Sequence, residues 1–308
     1  MEMKKKNFIK TATPYLFISP WIFGFLAFTL GPLILSLVMS FFDWPLTSEH
    51  TFIGLGNYIE MFTQDDQFWK SLIISLKYAA IFVPLNLILA LFLAVLITQP
   101  VRGVKIYRTI FYIPAVISGV AISIIWSWIL NSDYGVLNYL LSLIGIEGPD
   151  WLVDPAWALF AVILASAFGV GTMMLIFYTD MKNISPEIYE AASLDGAGPV
   201  RKFFSITLPM ITPTLLFNLI TSIISSFQQV TLVMLLTGGG PLQSTYFYGL
   251  MTYNNAFKHH KMGYASANAW VMFIIILLLT ALVFKSSSAW VFYESEVKAN
   301  KKKGGKKA

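Results

Sequence analysis

No cysteine occurs anywhere in the chain, which excludes disulfides and thiol chemistry and leaves the compartment open. Charge is scarce as well: 12% of the 308 residues are Asp, Glu, Lys or Arg, against 56% that are hydrophobic. Histidine is confined to His50, His259 and His260, and there is neither an H-E-x-x-H nor a G-x-S-x-G pattern. Adjacent His259 and His260 point to different sides of a helix or a strand, so their spacing suits a surface and not a metal site. Gly238-Gly239-Gly240-Pro241 is glycine-rich but lacks the lysine of a phosphate-binding G-x-x-x-x-G-K-[ST] loop, which is found nowhere else. The expectation is a chain with no catalytic residues, no metal, no cofactor and no ATP hydrolysis of its own.

What fills the sequence instead is apolar. A soluble domain cannot bury the surface implied by a mean hydropathy of +0.68, so an all-α integral membrane protein is expected. Crossing a hydrocarbon layer about 30 Å thick takes roughly 20 mostly apolar helical residues. Runs 15–42, 109–130, 155–179 and 213–236 are long enough and uncharged, and 71–98 carries only Lys77, close to one end. Run 268–284 is shorter and is prolonged by Ser and Trp, so the count is six spans, or five with the last lying at the interface.

The charges decide between these. One side collects Lys4, Lys5, Lys6, Lys10, Arg102, Lys105, Arg108, Lys182, Arg201, Lys202, Lys285 and the lysines of the tail, which together are 17 of the 21 basic residues. The other collects Asp43, Glu49, Glu60, Asp65, Asp66, Asp133, Glu147, Asp150 and Asp154, with Lys258 and Lys261. By the positive-inside rule both termini are cytoplasmic, so the number of spans is even and six is favoured. The net charge of +5 is thus a topological signal and not a nucleic-acid patch. The start MEMKKKNFIK imitates a signal peptide, but the apolar run is too long and lacks an A-x-A site, so it reads as a retained first span. The expected divisions are a cytoplasmic N-terminus (1–14), a transmembrane domain (15–292) and a basic tail (293–308), solvated or touching anionic lipid. The spans hold no Asp or Glu away from their ends, Asp180 lying at a boundary, which weakens the alternative of an ion-coupled carrier.

One polar stretch interrupts the apolar runs. Ser185 is placed as a helix N-cap, Pro186 as the first helical residue, and Glu187 lies in the first turn, where a carboxylate suits the dipole. Gly196 and Gly198 end that helix and Pro199 opens a second, giving two short helices at a glycine bend. Small Ala191, Ala192 and Ser193 permit close approach by a partner, and Glu190 and Asp195 offer it charge. An ordinary interfacial hairpin, or a membrane scaffold that uses it to hold some other partner, fits the composition equally well.

The pattern E-A-A, three residues, G, nine residues, I-x-L-P stands here as Glu190-Ala191-Ala192, Gly196 and Ile206-Thr207-Leu208-Pro209. It resembles the cytoplasmic signature of permease subunits of binding-protein-dependent ABC importers. Residues 111–141 and 235–270 resemble the carbohydrate-uptake (MalF/UgpA-like) branch, without the extra N-terminal spans and large periplasmic domain of the maltose permease itself. The resemblance implies a type I (MetI-like) permease fold in the cell membrane, with the loop 182–209 as coupling helix. Glu190, Ala191, Ala192, Asp195 and Gly196 would meet a cytoplasmic ATPase. The implied partners are a second homologous permease, two ATPase subunits and an extracytoplasmic solute-binding protein.

A solute pathway can also be sought. Ser222, Ser225, Ser226 and Gln229 follow i, i+3, i+4, i+7, one helical face, continued back to Asn218. Ala165, Phe168, Gly169 and Thr172 share that spacing in the fourth span. A groove between them would offer amides and hydroxyls to a sugar, with Phe168 as a stacking ring. Stripes of this kind also pack helices together. The resemblance implies the sugar role, although only Gly169 and Ser222 match the maltose permease in type. Trp126 and Trp128 read as belt residues or an outer gate.

Overall fold

The computed structural model describes residues 2–46, 49–99 and 102–292, with residues 2–13 described by their backbone alone. The basic tail 293–308 lies outside the described residues. The chain is mostly helical and divides into two compact units, one of residues up to Asp65 with Thr252–Val271, the other of Asp66–Met251 with Met272 onward.

In the first unit, α1 (Glu2–Phe25) passes through a π turn at Leu26–Leu30 into α2 (Gly31–Met39). Pro32 has no N–H to continue the ladder, and the Gly31 N–H bonds Leu26 O, five residues back. The stretch Pro14–Met39 is apolar on every side and its most apolar window has no buried residue, the pattern of a helix that faces lipid or another subunit. A two-stranded antiparallel ribbon follows, β1 (Phe42–Asp43) on β2 (Thr51–Phe52), then α3 (Gly56–Thr63). The Asn57 amide donates to Ser40 O and Phe42 O at 2.8 and 2.9 Å, tying that helix to the ribbon.

The second unit is organised along α4 (Asp66–Thr98), 33 residues long. Its buried positions, among them Ser71, Ser75, Tyr78, Phe82, Asn86, Ala90, Leu93 and Ile97, recur every three or four residues and make one stripe. The helices that follow are α5 (Val104–Val116), α6 (Gly119–Ile129), α7 (Val136–Leu143), α8 (Pro155–Ala167) and α9 (Gly171–Asn183). Next come α10 (Pro186–Leu194), α11 (Pro199–Lys202), α12 (Leu208–Met210), α13 (Thr212–Phe227), α14 (Thr231–Leu236) and α15 (Tyr248–Tyr253). Helix α16 (Met262–Ser287) begins in the first unit and ends in the second. Helices α8, α9 and α13 pack on α4. Two apolar layers result, one around Tyr78, Phe82, Trp126, Phe227 and Phe247, the other around Ala90, Leu93, Met174, Phe177 and Ile211.

Three helices, Pro14–Met39, Asp66–Thr98 and Met262–Ser287, are each long and apolar enough to cross a bilayer, and six spans result if each of three bent pairs counts as one. The expected run 109–130 is not one rod: α5 and α6 meet at 103°. Hydropathy cannot see the cause, which is Ser118. It is extended, and its Oγ accepts the Ala121 N–H, starting a new helix inside the apolar run. Run 155–179 bends by 48° at Phe168–Val170, and Pro199–Met210 meets α13 at 67°. The expected run 213–236 stops at Phe227, so α14 is a separate helix. The last helix is longer than its uncharged run, at 26 residues.

Lipid tails are as apolar as leucine, so these helices associate through close packing. Gly171 shows how close: a Cβ there would lie 2.3 Å from Phe111 O and 2.8 Å from Tyr112 Cα, backbone atoms that cannot swing away. Gly171→Ala is expected to destabilise the protein by about 1–3 kcal/mol, read as a lower thermal unfolding midpoint in detergent. Gly24→Ala, with nothing within 4 Å of the added carbon, should not lower it.

Candidate functional site

The polar loop folds as a hairpin. Helix α10 opens on Pro186, with Glu187 in its first turn. Ser185 does not cap it through its side chain: its own carbonyl takes the Ile188 N–H at 3.2 Å, which leaves the hydroxyl without that task. At the far end Gly196 adopts φ +77°, its N–H bonds Ser193 O at 3.0 Å, and the Ala197 N–H bonds Ala192 O at 2.9 Å. Those two bonds around a left-handed glycine are a Schellman motif, and they account for the glycine expected at this bend. Extended Gly198 then feeds Pro199 into α11.

Two side-chain ties close the hairpin. The Tyr189 hydroxyl and Thr207 Oγ1 share a hydrogen bond of 2.8 Å, and Lys202 Nζ donates to Ser193 Oγ at 2.6 Å. Glu190, Ala191, Asp195 and Gly196 are exposed together and Ala192 is half-buried, so the five residues expected to couple share one hairpin. Among the described residues neither Glu190 nor Asp195 forms an ion pair. A small crevice of about 170 Å³ lies between the arms, lined by Ala192, Asp195, Arg201 and Ser205. Leu194, which sequence reasoning passed over, is 90% exposed at the tip. It shares its exposure with Val200 and Phe204 on the second arm, so its apolar type alone did not single it out.

The seven pathway residues do not form one surface. Ser222 and Ser226 are buried, as is Asn218, whereas Ser225 is exposed. Residues three apart on a helix diverge by about 60°, and here the packed edge of α13 falls between them. Gln229 lies beyond the end of α13, so its i+7 position is lost; on α4 the Tyr78 hydroxyl donates to Ser166 Oγ at 2.9 Å. The open face of α13 is Phe217, Thr221 and Ser225, continued by Gln228 at its C-cap; the sequence reading had not singled out Thr221 or Gln228.

Between α8 and α9 the bend separates Ala165, which is buried, from Phe168, Gly169 and Thr172, which are exposed. The Phe168 ring stands edge-on to Trp126 at 5.7 Å, and both line an apolar cavity of about 430 Å³ with Leu93, Phe111 and Leu164. Trp126 is therefore a core residue and not a belt residue, while Trp128 is exposed.

Residues 86–292, which hold the hairpin, the bent helix pairs beside it and α13, match the family described as binding-protein-dependent transport system inner membrane component. The chain belongs to this family. Among its relatives is the Probable ABC transporter permease protein YesP of Bacillus subtilis (strain 168), 45% identical over 300 residues, 96% of this chain and 97% of the relative. The sulfoquinovosyl glycerol transport system permease protein SmoG of Agrobacterium fabrum is 34% identical and covers 80% of each chain. The fold is shared with a chain from the crystal structure of a bacterial alginate ABC transporter in complex with alginate pentasaccharide-bound periplasmic protein. That match has a TM-score of 0.81 at 23% identity and covers 91% of this chain and 96% of the other. Family membership favours a transport subunit over the ion-coupled carrier and the scaffold.

Gly196 offers a local test of the hairpin. Its left-handed φ has open space around it, so Gly196→Ala meets conformational strain and no clash. A cost of about 1–2 kcal/mol is expected, and Gly196→Asn, a residue tolerated at that φ, should recover part of it in the thermal midpoint.

Proposed function

We propose that the chain is the permease subunit of an ATP-binding-cassette importer and forms half of the pathway for a saccharide delivered by an extracytoplasmic binding protein. The observation that carries this is the E-A-A hairpin with its glycine cap, its carboxylates without an ion pair among the described residues, in a member of this family. A second homologous permease completes the pathway, and two cytoplasmic ATPase subunits supply the energy. The saccharide class is supported by the names of the relatives, which include a sulfoquinovosyl glycerol permease and a chain of an alginate transporter.

In this reading the protein sits in the cell membrane with six spans, 15–292 as transmembrane domain, and the segments 1–14, 182–209 and 293–308 in the cytoplasm. The distribution of basic residues supports that orientation. Closure of the ATPases moves the hairpin as a unit, because its arms are tied at Tyr189–Thr207 and Ser193–Lys202. Glu190 and Asp195 meet cationic groups of the ATPase, Ala191 and Ala192 pack in its cleft, and Gly196 holds the bend. That motion rocks α9 and α13 and opens the pathway to each side in turn. No bond in the solute is made or broken. Along the pathway Ser225 and Thr172 face the solute, and Phe168 supplies a ring beside Gly169. Ser222, Ser226 and Gln229 become available when α13 shifts on α4.

Glu190→Lys and Gly196→Leu are each expected to lower saccharide uptake by the reconstituted complex more than tenfold while its ATP hydrolysis persists. Normal uptake by both variants would remove the coupling assignment. Because no native cysteine interferes, orientation can be read with single cysteines. Asp133→Cys and Lys258→Cys should react with an impermeant maleimide added to intact cells, and Lys202→Cys should not. The reverse pattern would invert the topology.

A further inference from the structure

Helix α7 buries none of its own residues, yet the loop around it is firmly held. Asn138 Oδ1 accepts the Trp151 indole N–H at 2.6 Å, and the Asn138 amide donates to Ser132 O and Pro149 O at 3.2 and 3.3 Å. Asn131 Oδ1 accepts the backbone N–H groups of Asp133 and Tyr134. Two glycines allow the closeness: a Cβ on Gly148 would lie 2.1 Å from Asn138 Oδ1, and one on Gly135 would lie 2.2 Å from Asn131 O.

This fastening holds an apolar ridge away from the rest of the chain. Tyr139, Leu140, Leu143 and Ile144 are all exposed, Ile144 at 69%. Beside the ridge runs a groove of about 630 Å³ whose walls include Asp133, Glu147 and Asp150. These carboxylates are exposed, none forms an ion pair among the described residues, and no Lys, Arg or His occurs between Arg108 and Lys182.

A fixed apolar ridge of this kind calls for a cover, and the charge beside it selects which. Anionic headgroups repel an uncompensated acidic groove, whereas a protein surface with an apolar centre and a basic rim complements both parts. We propose that α7 and its groove are a docking surface for the solute-binding protein, gripping a lobe that carries lysines or arginines around an apolar patch. This rests on the importer reading above and on the outward orientation of residues 131–154.

The test uses the assembled transporter in lipid nanodiscs and its cognate binding protein loaded with saccharide, and measures ATP hydrolysis against binding-protein concentration. The triple variant Asp133→Lys, Glu147→Lys, Asp150→Lys should raise the half-saturating concentration at least tenfold and leave the maximal rate unchanged. Lowering the salt should tighten the wild-type interaction and weaken that of the variant. Tyr139→Ser with Leu143→Ser should raise the same concentration without changing the salt response. Equal half-saturating concentrations for wild type and both variants would overturn the proposal. A fluorophore on Leu143→Cys should be shielded from water when the binding protein is added; quenching by nitroxide-labelled lipid in its absence would assign the ridge to the bilayer and overturn the proposal as well. Failure of any loaded binding protein to stimulate the wild-type complex would instead sink the importer reading, so the two failures are distinct.

Discussion

In a hydrocarbon layer every backbone N–H and C=O has to be satisfied within the protein, and each departure from a straight helix here is arranged around that constraint. Pro32 cannot donate, and the π turn before it re-pairs the ladder. Ser118 starts α6 with its own hydroxyl. At the break before α13, the Thr212 hydroxyl donates to Pro209 O at 2.6 Å and accepts the Phe292 N–H at 2.9 Å, one side chain serving two strands of the path. Helix α4 carries its stripe of buried residues from Phe68 to Ile97, and α8, α9 and α13 pack on it as a common wall.

The hairpin depends on that wall. Helix α9 packs on α4, and α10 leaves it through buried Met181 and Ile184, both in the apolar layer that includes Ala94 and Ile97. Beyond Ile184 the chain turns polar and exposed, so the joint between packed and solvated structure falls immediately before Pro186. A displacement of α10 is therefore transmitted to that apolar layer.

Much of this was legible beforehand, for identifiable reasons. Apolar run length located the three helices long enough to cross a bilayer and the three bent pairs, because bilayer thickness sets the length sought. The glycine at 196 was readable because its conformation is dictated by the local backbone. The 103° break at Ser118 was not, since serine and glycine within an apolar run barely change its hydropathy. Nor was the division of Ser222 from Ser225, because spacing gives a face and only the neighbouring α4 decides which edge of that face is covered. Ser185 stands at the N-cap as its type and place before Pro186 suggest, but without a side-chain bond, because its own carbonyl already takes the Ile188 N–H. Leu194 went unnoticed because its meaning lies in exposure, which composition does not report.

The fastenings of the hairpin include neutral groups: two peptide hydrogen bonds around Gly196 and the hydroxyl pair of Tyr189 and Thr207. Such joints are indifferent to ionic strength, while the carboxylates presented beside them are not. The shape of the hairpin and the charge that it presents are thereby set by separate chemistry, so exchanging the carboxylates changes what the hairpin attracts without changing its form.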